Sequence, residues 1–379
     1  MKGFISFLLL FCFILPASAY GENSPNLVPS VSAPSAILME KLTGQVIYEK
    51  NSRERLHPAS VTKVMTMLLI VEDIEAGLMS LEDTVTASSR AASFGGSCVY
   101  LAQGEKMSVS DMLKCIAVVS ANDCAVAMAE HISGSEEAFV QRMNKRAAEL
   151  GMKDTNFTNC TGLFEDEEHY TCAYDVALMS RELIKHELIK DYSTIWMDSI
   201  RGGEFELSNT NKLVYWYDGC TGLKTGYTSK ALYCLSATAE RDGVEYIAVV
   251  MKSESSDSRN YDAEQMLSFA FANYALCSLR GDTEAPLIPV ELGKKDSVST
   301  FFGGDEMRLL PKSSAALSYE LNRETMVAAP VRRGQRLGVL TVRSGDTVVA
   351  TVPLLAAEDV ARTGYFGILG RLAGSIVGM

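Results

Sequence analysis

The stretch Pro58-Ala-Ser60-Val-Thr-Lys63 opens a helical pattern that continues to residue 76. Apolar side chains recur in it at i, i+3, i+4 and i+7, which predicts a helix over residues 61–76 with one buried face. Residues three apart share a face of a helix, so the Ser60 hydroxyl and the Lys63 amine are predicted to lie side by side. The first helical turn also offers free backbone N–H groups and the positive end of the helix dipole, and both would stabilise an oxyanion.

This pairing of serine with lysine suggests acyl transfer. An amine close to a hydroxyl can accept its proton, provided that part of the lysine is neutral. Burial and a second nearby cation would lower the pKa of the lysine in that direction. A single Ser-x-x-Lys string is nevertheless more often an N-cap serine followed by an exposed lysine. Its meaning therefore depends on the rest of the chain.

A second string, Ser120-Ala-Asn122, follows a nearly all-apolar pattern over residues 112–119, which predicts a buried helix. A polar pair at the end of such a helix is where a loop enters a cleft. The Ser120 hydroxyl can relay a proton there, and the Asn122 side chain can hold a substrate amide. Taken alone, the tripeptide is more often a helix C-cap.

A third string, Lys224-Thr225-Gly226, precedes a strand predicted over residues 232–238. Lysine and threonine on a strand at the edge of a cleft can bind a carboxylate. Gly226 leaves room for a substrate backbone to pair along that edge. The alternative for this string alone is a glycine-rich turn with a solvated lysine.

In this order, the three strings are those of penicillin-binding proteins and class A β-lactamases. Over residues 35–279 the chain resembles the serine DD-carboxypeptidases among the low-molecular-mass penicillin-binding proteins. Further segments that resemble this family are Gly95-Gly-Ser-Cys-Val-Tyr-Leu101, Ser120-Ala-Asn-Asp-Cys124, Met143-Asn144, Leu150-Gly-Met-Lys-Asp-Thr155, Asn159-Cys-Thr-Gly-Leu163 and His169-Tyr-Thr-Cys-Ala-Tyr-Asp175. Ala121 and Cys124 are small departures from the family's S-G-N-D-A.

The resemblance implies a role for each matching residue. Ser60 would be the nucleophile and Lys63 its general base, while Ser120 would pass a proton to the departing D-alanine. The substrate would be bound by Asn122, Lys224, Thr225, Gly226, Tyr227 and Arg259. Among these, Arg259 would face the terminal carboxylate together with Lys224 and Thr225, and the Tyr227 N–H would complete an oxyanion hole with that of Ser60.

The implied reaction has two steps. Ser60 attacks the peptide bond of a peptidoglycan stem peptide ending in D-Ala-D-Ala, and water then cleaves the acyl-enzyme. A β-lactam antibiotic would mimic the dipeptide and leave the serine trapped. No metal and no organic cofactor is called for, and the net charge of −12 does not suit a nucleic-acid partner.

The fold class expected is α/β: a β-lactamase/transpeptidase-like catalytic domain over residues 35–281, with a mainly antiparallel sheet flanked by helices. A hairpin is predicted around Thr43-Gly44, strands over 213–217, 232–238 and 246–251, and a closing helix over 261–279. A small all-β domain is expected over 282–361, where 11 basic and 11 acidic residues balance through the chain end. Residues 362–379 are predicted to form an amphipathic helix, a candidate membrane anchor.

The N-terminus has the pattern of a secretory signal peptide. An apolar run after Lys2 ends at Ala17-Ser-Ala19, which predicts cleavage after residue 19 and a linker over 20–34. An uncleaved anchor is the alternative. The expected location is the extracytoplasmic face of the bacterial membrane or the cell wall. The remaining eight cysteines show no disulfide framework, and we expect most of them to be free and buried.

Other functions share parts of this pattern. A DD-endopeptidase acting on peptidoglycan cross-links would use the same site, and a non-catalytic wall-binding scaffold would keep the fold. A β-lactamase would need a carboxylate base with E-x-x-x-N spacing, but His169 stands four residues after Glu165. A Ser-His-Asp hydrolase is disfavoured because no G-x-S-x-G elbow occurs.

Overall fold

The computed structural model describes residues 28–164, 166–314 and 316–369. The predicted signal peptide, most of the predicted linker and the last ten residues of the expected C-terminal helix lie outside this part of the chain. Two connected regions follow one another: a mixed α/β region that carries the three strings, and a β-rich region from about residue 274 onward.

Helices dominate the first region. The described α-helices are α1 (Lys63–Glu75), α2 (Ser89–Ala92), α3 (Val109–Val118), α4 (Asn122–Ser133), α5 (Glu136–Glu149), α6 (Ala173–Leu183), α7 (Lys190–Ser193), α8 (Leu213–Trp216) and α9 (Ser256–Asn273). Short 3-10 helices span Ala59–Thr62, Glu187–Ile189 and Arg201–Gly203. Several helices begin at a serine cap, as α9 does at Ser255, where a reciprocal bond with Ser258 forms a capping box.

Strands begin and end the first region, and two short strand pairs lie among its helices. The strands are β1 (Ser35–Glu40), β2 (Val46–Lys50), β3 (Thr84–Thr86), β4 (Lys106–Ser108), β5 (Met197–Ile200), β6 (Phe205–Ser208), β7 (Cys220–Thr228), β8 (Leu232–Arg241) and β9 (Val244–Ser253). The β-rich region adds β10 (Tyr274–Ser278), β11 (Ile288–Glu291), β12 (Ser297–Val298), β13 (Thr300–Phe302), β14 (Met307–Pro311), β15 (Leu317–Arg323), β16 (Val327–Ala328), β17 (Arg336–Ser344) and β18 (Thr347–Ala356).

A five-stranded sheet in the order β2-β1-β9-β8-β7 organises the first region. Each of its pairings is antiparallel, so the mainly antiparallel sheet is confirmed. Successive side chains of β1 point to opposite faces of the sheet and enter two different hydrophobic cores. Ile37 and Met39 pack with α1 and α3, whereas Ala36 and Leu38 pack with α9. The sheet is therefore covered on both faces, and β7 forms its edge.

Two of the predicted elements are wrong. Residues 213–217 form the short helix α8 rather than a strand, and the third strand of the sheet is β7, which contains Lys224-Thr225-Gly226 itself. The closing helix ends at Asn273 rather than at residue 279. Residues Tyr274–Ser278 extend as a strand because they pair with Met307–Pro311 of the β-rich region, a partner distant in sequence.

The β-rich region has its own core. Strand β18 pairs with β13 and β17, and β17 with β15, all antiparallel, around buried residues such as Leu340, Val342 and Leu354. Of the expected C-terminal helix, residues 365–369 are helical and exposed or half-buried. A helix long and apolar enough to cross a membrane does not occur among the described residues.

Candidate active site

Ser60 and Lys63 meet at the start of α1, as their spacing predicted. Ser60 lies in the 3-10 turn that leads into the helix, and Lys63 is the first residue of α1. The Lys63 Nζ donates hydrogen bonds to Ser60 Oγ at 3.0 Å, to Asn122 Oδ1 at 2.6 Å and to the Thr161 carbonyl at 2.8 Å. Three acceptors match the three donors of an ammonium group. When one proton is lost, a lone pair becomes available to the Ser60 hydroxyl.

The environment of Lys63 favours the loss of a proton from its ammonium group. The side chain is fully buried, and burial lowers the pKa of its amine to about 7. Roughly half of the lysines are then neutral at pH 7, against a very small fraction for an exposed lysine. The amine can therefore act as a general base at neutral pH without a histidine or a metal.

Close backbone packing fixes the serine. Ala59 has a φ of 47°, a left-handed conformation directly before the nucleophile. Gly162 packs against it so tightly that a Cβ there would lie 1.8 Å from the Ala59 carbonyl oxygen. Gly226 of β7 lies on the other side, where an added Cβ would be 3.1 Å from the Ser60 nitrogen. The Ser60 turn is thus held between two glycines.

The second string lies in the loop between α3 and α4. Ser120 is 4% exposed, has a φ of 63°, and its Oγ has no hydrogen-bond partner among the described residues. Asn122 begins α4; its Oδ1 accepts from Lys63 while its Nδ2 donates to the Gly95 carbonyl at 2.8 Å. The structure therefore brings Asn122 to the dyad directly and leaves a buried hydroxyl unsatisfied two residues before it.

The third string lies on the edge strand β7. Lys224 is fully buried, and its Nζ donates to the Thr225 carbonyl at 2.9 Å. The Thr225 hydroxyl donates to Thr210 Oγ1 at 2.8 Å. Burial, with the charges of Lys63 and Arg259, lowers the pKa of Lys224 well below its usual range. The two lysines therefore lie close enough to repel each other.

Arg259 adds a second buried cation to this side. It lies in the first turns of α9, is 4% exposed, and donates to Asn260 Oδ1 and Ser256 Oγ. Burial lowers its pKa to about 10. Within the described ranges, no carboxylate lies within ion-pair distance of Arg259 or Lys224. An anion from outside the protein would supply the missing partner.

Tyr227 follows the glycine on β7, with its side chain 56% exposed and its ring 4.5 Å from that of Tyr233. Because Gly226 contacts the Ser60 turn, the backbone of the next residue lies near the nucleophile. A role of the Tyr227 and Ser60 N–H groups as an oxyanion hole agrees with this position and stays a prediction.

Two residues that support the site, Thr161 and Asp123, were not predicted from the sequence. The Thr161 carbonyl accepts a bond from Lys63, and the Asp123 carboxylate accepts from the backbone N–H groups of Val99 and Leu101. Asp123 thereby holds the loop at residues 95–101 against the site. Both residues lie in segments that resemble the family, which was the available signal.

The described residues include one candidate metal-binding cluster and eight cysteines. Among the described residues, one group could hold a metal ion, formed by Glu72, Glu182 and His186. Arg146 already forms ion pairs with both glutamates, at 2.6 and 2.9 Å. The eight described cysteines are free.

Comparison with protein families identifies both regions. The sequence model of the family described as D-alanyl-D-alanine carboxypeptidase matches residues 22–255. The model described as penicillin-binding protein 5, C-terminal domain, matches residues 280–362.

Individual relatives agree with this. The D-alanyl-D-alanine carboxypeptidase DacF of Bacillus subtilis (strain 168) is 42% identical, covering 99% of this chain and 98% of the relative. A solved structure of penicillin-binding protein 5 from Haemophilus influenzae is 28% identical with a TM-score of 0.79, covering 89% of this chain and 100% of that one. Penicillin-binding protein D2 from Listeria monocytogenes in an ampicillin-bound form is 28% identical with a TM-score of 0.58, covering 64% and 98%.

Proposed function

The chain belongs to the D-alanyl-D-alanine carboxypeptidase family, and on that premise we propose that it is a serine DD-carboxypeptidase acting on peptidoglycan stem peptides. One observation carries the proposal beyond the family name. A buried serine–lysine dyad lies beside two buried cations, Lys224 and Arg259, that have no anionic partner among the described residues. A substrate with a free carboxylate one residue beyond the scissile bond supplies that partner.

Acylation begins with the carboxylate of the terminal D-alanine bound by Lys224, Thr225 and Arg259. The neutral Lys63 amine takes the proton of Ser60 Oγ as the oxygen attacks the carbonyl carbon of the preceding D-alanine. The negative oxygen that forms is stabilised by the backbone N–H groups of Ser60 and Tyr227.

Departure of D-alanine requires a proton on its nitrogen. Ser120 is the group proposed to relay it: its hydroxyl gives a proton to the nitrogen and takes up the proton that Lys63 received from Ser60, and it is buried with no partner among the residues that the structure describes. Asn122 holds the amide of the remaining peptide. Water then attacks the Ser60 ester, the shortened peptide leaves with a new carboxylate, and the serine regains its proton.

β-Lactam antibiotics are proposed to acylate the same serine. Their ring amide and carboxylate reproduce the spacing of the dipeptide, and a relative of the same fold is known with ampicillin bound. The ring nitrogen stays tethered to the acyl group, so the leaving group does not diffuse away to admit water.

The direct test is release of D-alanine from an acyl peptide ending in D-Ala-D-Ala. Wild-type protein should release one D-alanine per peptide, and Ser60→Ala should release none while keeping the same melting temperature. Equal release by the two proteins would refute the serine assignment. Cleavage of a cross-linked dimer without release of free D-alanine would favour the endopeptidase alternative, and binding without any cleavage would favour a scaffold.

We also propose that the protein is exported by its N-terminal signal, that residues 35–281 and 282–361 are separate domains, and that residues 362–379 attach it to a membrane surface. The two family matches, over 22–255 and 280–362, support the division. Truncation after Ala361 should move the protein from the membrane to the soluble fraction. An unchanged distribution would refute the anchor.

A further inference from the structure

His169 is a buried histidine that the proposed reaction does not use. It is 1% exposed and begins the segment His169-Tyr-Thr-Cys-Ala-Tyr-Asp175, which resembles the family. Its ring hydrogen-bonds to two parts of the chain that are distant in the sequence. One is Thr62, in the turn that carries the dyad, and the other is Thr158, close to the carbonyl that accepts from Lys63. The ring therefore contacts both parts of the chain that position the dyad.

The two ring nitrogens of His169 have different, fixed roles. The backbone N–H of Thr158 donates to Nδ1 at 3.0 Å. Because a backbone N–H can only donate, Nδ1 of the neutral ring carries no proton, and the proton lies on Nε2. The Nε2–H group then donates to Thr62 Oγ1 at 2.8 Å. Burial, together with the nearby His57, lowers the pKa of His169 to about 4, so the ring keeps this neutral form at neutral pH.

Backbone pairing fixes the segment that carries the ring. Tyr170 forms an antiparallel bridge with Asn156, and Thr171 forms one with Leu56. The chain continues from Leu56 into the Ser60 turn, and from Asn156 to the carbonyl that accepts from the dyad lysine. The segment beginning at His169 is thus paired with both chains, which places its first side chain between them.

The bond on the Nδ1 side reaches Lys63 through a tight turn. Asn159 Nδ2 lies 3.3 Å from His169 Nδ1, and Asn159 Oδ1 accepts from the backbone N–H groups of Thr161 at 3.1 Å and Gly162 at 2.6 Å. This turn directs the Thr161 carbonyl at the Lys63 amine and packs Gly162 against the residue before the serine. A shift at His169 would therefore move an acceptor of Lys63.

We propose that His169 is a positioning residue for acylation. Its imidazole joins the turn that carries Ser60 and Lys63 to the segment that supplies a backbone acceptor for the Lys63 amine. By fixing both parts, it holds that amine at hydrogen-bond distance from the Ser60 hydroxyl, as proton transfer requires. It acts through its hydrogen-bond partners rather than on the reacting atoms. The inference rests on the proposed function, in which Lys63 is the base.

Four variants distinguish positioning from folding. His169→Leu fills a similar volume and removes both hydrogen bonds. His169→Gln offers an amide oxygen to the Thr158 N–H and an amide N–H to Thr62, the same pair of roles as the neutral ring. Thr62→Val keeps the shape of the side chain and removes only its hydroxyl. His186→Gln, at a half-buried histidine that pairs with Glu75, is the control.

The limiting rate of acylation at saturating penicillin and the dissociation constant of the preceding non-covalent complex are measured separately by stopped flow. The amplitude of labelling gives the fraction of folded, active protein. His169→Leu should lower the limiting rate about thirtyfold, since a misplacement of about 1 Å costs up to about a hundredfold. Its dissociation constant should change by less than about threefold. His169→Gln should stay within about threefold of the wild-type rate, and His186→Gln should match it.

A double-mutant cycle isolates the bond between the ring and Thr62. Thr62→Val alone should lower the limiting rate about tenfold, and His169→Leu should cost less in that background because the bond is already absent. Nitrogen NMR of the wild-type ring supplies an independent signature. It should show a protonated Nε2 and an unprotonated Nδ1 at neutral pH.

The outcomes separate the two claims. An unchanged limiting rate in His169→Leu, with only the labelled fraction or the melting temperature reduced, would overturn the positioning role while the carboxypeptidase function stands. Equal losses of rate in His169→Leu and His169→Gln, or a proton on Nδ1, would overturn it as well. If His169→Leu does not fold, an unchanged limiting rate in Thr62→Val has the same meaning. Failure of penicillin to acylate the wild-type protein would overturn the function and the inference together.

Discussion

Lowering the pH from 8 to 5 is expected to switch off acylation through a single group, Lys63. Its pKa of about 7 results from burial. Because the neutral amine is the form that accepts the Ser60 proton, the rate should be near its plateau at pH 8. It should fall to about a half at pH 7, a tenth at pH 6 and a hundredth at pH 5. A lysine with the ordinary pKa of about 10.4 would leave only about one amine in 2,500 neutral at pH 7.

The assay is the second-order rate of labelling by a fluorescent penicillin, followed by stopped flow or gel. The carboxylate of the drug stays ionised across this range, so the titration reports on the protein. Lys63→Arg keeps the positive charge but cannot become neutral, and should lose at least a thousandfold in rate. A rate that does not change between pH 5.5 and 8, or that rises only near pH 10, would refute the role of a buried neutral lysine.

Further substitutions address the rest of the site. Lys224→Ala should raise KM for a D-Ala-D-Ala peptide about ten- to a hundredfold, as expected for a lost charge-assisted hydrogen bond; an unchanged KM would contradict carboxylate binding there. Ser120→Ala should lower turnover by about a hundredfold or more without loss of thermal stability, because its hydroxyl has no partner to lose among the described residues. Gly162→Ala should destabilise the fold by about 2–5 kcal/mol, combining a left-handed φ with a clash against Ala59. Gly77→Ala, with a φ of 70° but open space around it, should cost only about 1–2 kcal/mol in denaturant titrations; equal losses would show that packing at Gly162 is unimportant.

The catalytic geometry could be predicted where it depends on local spacing. Ser60 and Lys63 are one helical turn apart, so their contact follows from the periodicity around them. The burial that lowers the pKa of Lys63 comes from α4 and from the segment around Thr161, 98 residues away along the chain. Only the general tendency of an apolar helix to be buried pointed to it.

The two wrong secondary-structure predictions concern segments whose conformation depends on strands distant in the sequence. Residues 213–217 are apolar and aromatic, which favours a strand, but the sheet edge is occupied by β7 and the segment turns into a helix instead. Residues 274–278 continue a helical pattern, yet they pair with Met307–Pro311, a strand distant in the sequence. Neither partner can be identified from local propensity.

The position of Arg259 in the site could not be predicted from residue patterns alone. Its sequence context is that of an ordinary surface arginine, and only the resemblance to the family suggested its role. The fold buries it at the start of α9 and brings its charge to bear on Lys224. The electrostatic repulsion between these two cations is a property of the tertiary structure.

Ser60 is the residue that we expect to become acylated. Digestion of the penicillin-labelled protein followed by mass spectrometry identifies the acylated residue. One peptide, the one containing Ser60, should gain the mass of the drug, and the Ser60→Ala protein should gain none. Labelling of any other residue, or equal labelling of the Ser60→Ala protein, would contradict this expectation.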